Sequence, residues 1–196
     1  LRKSLFLIFL ILIIDQVTKL WVKTTMYLGQ DHQITNWFYI HFTENPGMAF
    51  GLELGGVWGK LALSLFRLVA IIALGMWLRT LIRNAAPAVG ITAVSFIFAG
   101  AVGNMIDSAF YGLIFSDSLG HVASFLPEGG GYAPFLQGKV VDMLYFPLFA
   151  GNLPSWVPFW GGDYLIFFRP IFNVADTAIS TGVVLLLLFQ KRIFPK

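Results

Sequence analysis

Four long apolar stretches organise the chain, at about Leu5–Trp21, Trp58–Leu78, Ala86–Ile106 and Phe172–Phe189. Each is long enough to predict a transmembrane helix, since a hydrocarbon core takes roughly 20 helical residues. Asp15 and Lys19 interrupt the first stretch and no small-residue cleavage site follows it, so it is expected to stay as a span. Two longer connections separate the spans, about Val22–Val57 and Asp107–Ile171. In the first, Gln33–Thr43 alternates apolar and polar positions with Trp37, Tyr39 and His41 on one face, the pattern of a strand. In the second, Val-Val-Asp142-Met-Leu-Tyr is an apolar run around a single carboxylate. It predicts a short strand dipping back toward the membrane, where extended backbone is tolerated if it lines a cavity. The remainder of that connection is rich in Gly, Pro and aromatics, and Trp156, Trp160 and Tyr164 suit a membrane–water boundary. The expected fold is an α-helical integral membrane protein: four transmembrane helices, a small extracytoplasmic β-rich region and long outer loops, with residues 1–196 forming one membrane-embedded domain.

Composition agrees with the pattern. Hydrophobic residues make up 57% of the chain and charged residues 12%, against about 25% charged in a soluble domain. The net charge of +3 does not call for a nucleic-acid partner, because the cations flank apolar segments. Arg2 and Lys3, then Arg79 and Arg83, then Lys191, Arg192 and Lys196 all fall on one side of a four-span bundle. The positive-inside rule makes that side cytoplasmic, with both termini inside. The absence of cysteine removes disulfides, a thiol nucleophile and thiolate metal sites.

The polar residues within or at the mouths of spans carry the chemistry, because a carboxylate at the bilayer centre costs roughly 3 kcal/mol on insertion scales. Asp15 and Lys19 are four apart on one helical face and predict a structural polar pair. Gly100, Gly103, Asn104 and Asp107 form a stripe at helical spacing at the end of the third span. Asn173, Asp176, Thr177 and Ser180 repeat it at the start of the fourth. Two helices therefore each offer an Asn followed three residues later by an Asp, an arrangement that points to a shared polar site.

Five blocks together resemble the lipoprotein signal peptidase (signal peptidase II) family: Asp15-Gln-Val-Thr-Lys19, Asn45-Pro-Gly-Met-Ala-Phe50, Gly103-Asn-Met-Ile-Asp107, Val140-Val-Asp142 and Phe172-Asn-Val-Ala-Asp176. They occur in family order and cover nearly the whole chain. The resemblance implies an aspartic endopeptidase of the bacterial cytoplasmic (inner) membrane. Such an enzyme cleaves diacylglyceryl-modified prolipoproteins immediately before the lipidated cysteine. It implies Asp142 and Asp176 as the catalytic dyad, and Asn45, Gly103, Asn104, Asp107 and Asn173 as residues that bind substrate or shape the site. Two carboxylates held close together share one proton, which suits one as base and the other as acid. Membrane lipid is an expected partner, a monomer is the expected state, and no cofactor or metal is expected. Most relatives follow Asp107 with Arg, whereas this chain has Ser108. Lys139 and Arg169 are the candidate cations to replace it. The stretches 108–140 and 143–171 are also longer than is usual in the family.

Other membrane proteases fit less well. His-Glu-x-x-His is absent, His32, His41 and His121 are scattered, and Ser64, Ser95 and Ser180 have no assignable base. A proton-coupled transporter or channel, or a purely structural protein with buried polar pairs, remains compatible with the carboxylates alone. Paired carboxylates at one mouth of the bundle favour hydrolysis over transport.

Overall fold

A computed structural model describes residues 1–47 and 56–193. Met48–Phe50 of the second block and Lys196 lie outside the described residues. Three helices are long and apolar enough to cross a membrane: α1 (Arg2–Thr25), α2 (Gly56–Arg83) and the stretch that begins as α3 (Ala88–Ile106). That last stretch passes through a π-helical turn (Asp107–Tyr111) into the short α4 (Gly112–Ile114). The apolar α5 (Val174–Leu188) is shorter, and α6 (Gln190–Ile193) follows it. Arg79 and Arg83, expected in the connection after the second span, instead belong to α2. The third span likewise continues past Ile106 rather than ending there.

The bundle is built inside-out. On α1 the buried face is Ser4, Ile8, Ile11, Asp15, Lys19 and Val22 at helical spacing, while Phe6, Phe9, Ile13, Val17 and Trp21 are exposed. Without an apolar-to-water driving force between helices, close approach depends on small residues. A Cβ on Gly100 of α3 would collide with the Ala175 carbonyl oxygen, and one on Gly182 of α5 would lie 2.5 Å from the Ala93 carbonyl oxygen. Helices α3 and α5 therefore pack backbone against backbone, which brings their polar stripes together.

At one end of the bundle stands a four-stranded antiparallel sheet made of β1 (Asp31–Thr35), β2 (Phe38–Asn45), β3 (Val140–Tyr145) and β6 (Ile171–Phe172), in the order β1-β2-β3-β6. A separate hairpin pairs β4 (Phe149–Asn152) with β5 (Tyr164–Phe167). The run expected as a single strand over Gln33–Thr43 is thus a hairpin, and Trp37 sits in its turn. The expected strand around Asp142 is β3, in the centre of the sheet. Thr43 pairs with Asp142 and Asn45 with Val140, after an irregularity between Ile40 and Thr43. Val141 and Met143 pack with Val22, Phe42, Tyr111 and Phe115, and strand alternation turns Asp142 the opposite way. β6 pairs with Leu144 and Tyr145 and runs directly into Asn173, the N-cap of α5.

Candidate active site

The site forms where the sheet meets the helix ends, and Asn173 is its hub. Its side-chain oxygen accepts from the Asp176 backbone N–H at 2.8 Å, while the Asp176 carboxylate accepts from the Asn173 backbone N–H at 3.4 Å. This reciprocal capping box satisfies two of the orphan donors at the start of α5. The same box fixes the Asp176 carboxylate at the N-terminus of α5. The Asn173 amide nitrogen donates at 2.7 Å to Asp142 Oδ1. One asparagine therefore touches both carboxylates that the resemblance singled out.

A second amide braces the pair. Asn104 Nδ2 donates to Asp176 Oδ1 at 2.7 Å, and its oxygen accepts from Asn173 Nδ2 at 3.1 Å and from Lys19 Nζ at 2.9 Å. Asn45 also hydrogen-bonds the Asp142 carboxyl and accepts from the Gly47 N–H at 2.8 Å. Asp142 is buried, whereas Asp176 is half-buried and lines a cavity of about 530 Å³ with Phe168, Phe172, Thr177, Ser180, Thr181 and Val184. Burial, then the neighbouring Asp176 charge, push the Asp142 carboxyl up to about 7. The Lys19 charge and the Asn173 and Asn45 hydrogen bonds act in the opposite direction.

Below the pair lies a buried ionic network larger than the expected Asp15–Lys19 pair. Lys19 Nζ reaches Asp15 at 2.9 Å, Asp107 at 2.8 Å and Asn104 at 2.9 Å, which occupies all three ammonium donors. The other Asp15 oxygen accepts from the Ala175 N–H at 2.9 Å. Asp107 accepts from the Val141 N–H at 3.1 Å and from Gln16 Nε2 at 3.0 Å. A Cβ on Gly103 would lie 2.7 Å from Asp15 Oδ2, so only glycine leaves room for this network. The network ties α1, the α3 end, β3 and α5 together beneath the carboxylates, with Asp107 bonded to Lys19, Gln16 and the Val141 N–H.

Several site residues were not foreseen. Gln16 bridges Asp15 and Asp107 and accepts from the Tyr111 hydroxyl. Buried Lys23 pairs with Glu44 and donates at 2.8 Å to Ser118, anchoring α1 to β2 and to the loop after α4. Its position four residues beyond Lys19, on the same stripe, was the available signal. Arg67, a lone guanidinium well inside an apolar span, was a signal of the same kind. It donates to Ser108 Oγ at 3.4 Å and to the Gly47 carbonyl at 3.1 Å. The cation beside Ser108 is therefore Arg67. Lys139 is instead paired with Glu44 at 3.1 Å, and Arg169 is exposed.

A multi-helix membrane protein with two carboxylates gathered by asparagines beside a cavity belongs, by fold, with membrane enzymes. A solved bacterial membrane enzyme, determined by the in meso method at 1.9 Å, matches with a TM-score of 0.63 at 26% identity, over 97% of this chain and 93% of its own. Residues 7–191 match signal peptidase II, and the chain belongs to that family. It is 54% identical to the lipoprotein signal peptidase of Porphyromonas gingivalis over 95% of this chain and 81% of that protein. It is 39% identical to that of Amoebophilus asiaticus over 93% of this chain and 75% of that protein.

Proposed function

We propose that this protein removes signal peptides from diacylglyceryl-modified prolipoproteins, cutting before the lipidated cysteine, with Asp142 and Asp176 as its catalytic dyad. The observation that carries the assignment is Asn173, which hydrogen-bonds both carboxylates at once. The shared proton rests on Asp142, whose burial disfavours its charge, and Asp176 is the carboxylate at the helix N-terminus. Asp176 takes a proton from water, the water oxygen attacks the scissile carbonyl carbon, and Asp142 donates its proton to the carbonyl oxygen. In the breakdown step Asp176 passes its proton to the departing amine nitrogen. Asp142 recovers a proton from one hydroxyl of the tetrahedral intermediate, and the carboxyl product forms. Asn45, Asn104 and Asn173 hold the carboxylates and supply hydrogen bonds to the peptide. Asp15, Lys19 and Asp107 support them from beneath.

Helix α5 serves as the fourth span. Its 15 residues extend about 22 Å at 1.5 Å per residue, and Lys191 and Arg192 of α6 snorkel to the boundary, which accommodates a span shorter than the hydrocarbon core. The basic residues put both termini in the cytoplasm and the sheet outside. The exposed aromatics of the β4–β5 region, Trp156, Phe159 and Trp160, then sit at the headgroup boundary. The cavity runs along α5 from Asp176 to Val184, toward the membrane interior. This favours lateral entry, in which the acyl chains stay among apolar groups, each buried CH₂ contributing about 0.8 kcal/mol, while the peptide backbone reaches the dyad. A paired assay tests the substrate assignment: a diacylglyceryl-modified precursor is cleaved, and the same precursor without lipid is cleaved far more slowly. Equal rates on the two would overturn it.

A further inference from the structure

Arg67 is charged in a helix whose other neighbours at this depth, Leu65, Phe66, Leu68 and Val69, are exposed apolar side chains suited to lipid. A cation in such a segment is costly unless it faces a polar partner. Lys60, Ser64 and Arg67 fall at i, i+4 and i+7, one stripe along α2. Ser64 on that stripe donates at 2.7 Å to the Leu136 carbonyl of the loop after α4, so the stripe faces the site and not lipid. From it, Arg67 reaches two parts of the site at once. Nη1 donates to Ser108 on the π-helical turn, and Nη2 to the Gly47 carbonyl. The Gly47 N–H in turn donates to Asn45 Oδ1, and Asn45 hydrogen-bonds Asp142. A chain of contacts therefore leads from the guanidinium to a dyad carboxyl.

We infer that Arg67 is a positioning residue for peptide hydrolysis, holding the Asn45–Gly47 turn against Asp142 and setting the charge balance of the carboxylate mouth from α2. The inference rests on the dyad reading above. The charged groups around the guanidinium are Asp176 from α5, Asp142 from β3, Asp107 from the π-helical turn and Lys60 from its own helix. Lys139 and Glu44 act on Lys60, and Lys19 acts on Asp142 from the α1 side. A planar fork suits this task, because one rigid group can donate to Gly47 and Ser108 together. A lysine at the same place keeps the charge and loses the two-point hold. Ser108 lies within reach of Nη1, so an arginine at position 108 can place its guanidinium in the same space from the neighbouring helix.

The experiment compares full-length protein, purified in detergent, on a diacylglyceryl-modified precursor, with folding followed by thermal unfolding. For Arg67→Gln the expected result is a kcat loss of ten-fold or more with KM changed less than three-fold. The alkaline limb of the pH–rate profile should move to higher pH, because removing a cation favours the protonated Asp142 carboxyl. Arg67→Lys should keep the wild-type profile while losing rate. The exchange Arg67→Ser with Ser108→Arg should regain at least ten-fold over Arg67→Ser alone. Wild-type rate and profile in folded Arg67→Gln would overturn the inference. So would slowed Arg67→Gln with an unmoved profile and no gain from the exchange, which marks a packing role only. If Arg67→Gln does not fold, Arg67→Lys decides: full rate there overturns the proposal, and reduced rate at an unmoved profile supports it. Asp142→Asn run in parallel separates the two readings. Activity in that variant removes the dyad itself, whereas an inactive Asp142→Asn beside a normal Arg67→Gln removes only the role of Arg67.

Discussion

Replacing Lys19 by Met is expected to destabilise the protein severely, and the structure indicates why. The ammonium group is fully buried and spends its three donors on Asp15, Asp107 and Asn104 at 2.8–2.9 Å. Methionine nearly preserves the side chain's length and apolar stem but supplies no donor. Two buried carboxylates then face each other across the α1–α3 contact without a counter-ion. Breaking a buried ion pair by removing one partner costs about 3–5 kcal/mol, and two orphaned anions place this case at the upper end. For a chain of this size each kcal/mol moves the unfolding midpoint by about 2–4 °C, so a drop on the order of 10–20 °C is expected. The readout is intrinsic tryptophan fluorescence during heating of detergent-solubilised protein. A companion variant isolates the cause: adding Asp15→Asn and Asp107→Asn to Lys19→Met removes the uncompensated charges and should recover at least half of the loss. A shift below about 2 °C for Lys19→Met, or no recovery in the triple variant, would refute the electrostatic explanation.

Two further outcomes follow from the same geometry. With its carboxyl pushed up to about 7, Asp142 loses its acid form as pH rises, so kcat should fall on the alkaline side of about pH 7. In the folded state Asp142 keeps its proton between its ordinary range near 4 and about 7, while in the unfolded chain it releases it. The folded state then binds more protons, and this group's contribution to stability declines as pH rises through that window. Thermal unfolding of wild type at pH 5 and pH 8 should show the decline, and Asp142→Asn should lessen it. An equal decline in both proteins would assign it elsewhere. For topology, reporters fused at each terminus should both report the cytoplasm, and an external C-terminus would remove the four-span arrangement.

Much of the fold was legible because a membrane constrains sequence strongly. The apolar runs located the cores of α1, α2, α3 and α5, although the helices extend beyond them, through Arg83 in α2 and through the π-helical turn after Ile106. The repeated Asn–x–x–Asp spacing pointed to a polar site shared by two helices, but not to Asn173 as the N-cap of α5, where its side chain closes a capping box instead of lying on the helical stripe. The hairpin at Asn36–Trp37 was hidden because strand-like alternation continues across a two-residue turn, and the aromatic β4–β5 hairpin has no alternation to read. Other features depended on contacts distant in sequence. Nothing in Asp15-Gln-Val-Thr-Lys19 says that Lys19 also reaches Asp107, and nothing near Ser108 points to Arg67 on another helix. Arg67 was nonetheless visible as a charge within an apolar run, where a partner is physically required, and Lys23 as a cation four residues beyond Lys19 on the same helical stripe.

The dyad is tested most directly by a double-mutant cycle of Asp142 and Asp176 on a diacylglyceryl-modified precursor. Thermal unfolding would confirm that every variant is folded. Groups that act as one unit in a single proton-sharing step are grossly non-additive. Asp142→Asn, Asp176→Asn and the double variant should each therefore lose nearly the whole rate, by closely similar factors. Substantial cleavage by either folded single variant would contradict the assignment, and so would losses that multiply as they do for independent residues.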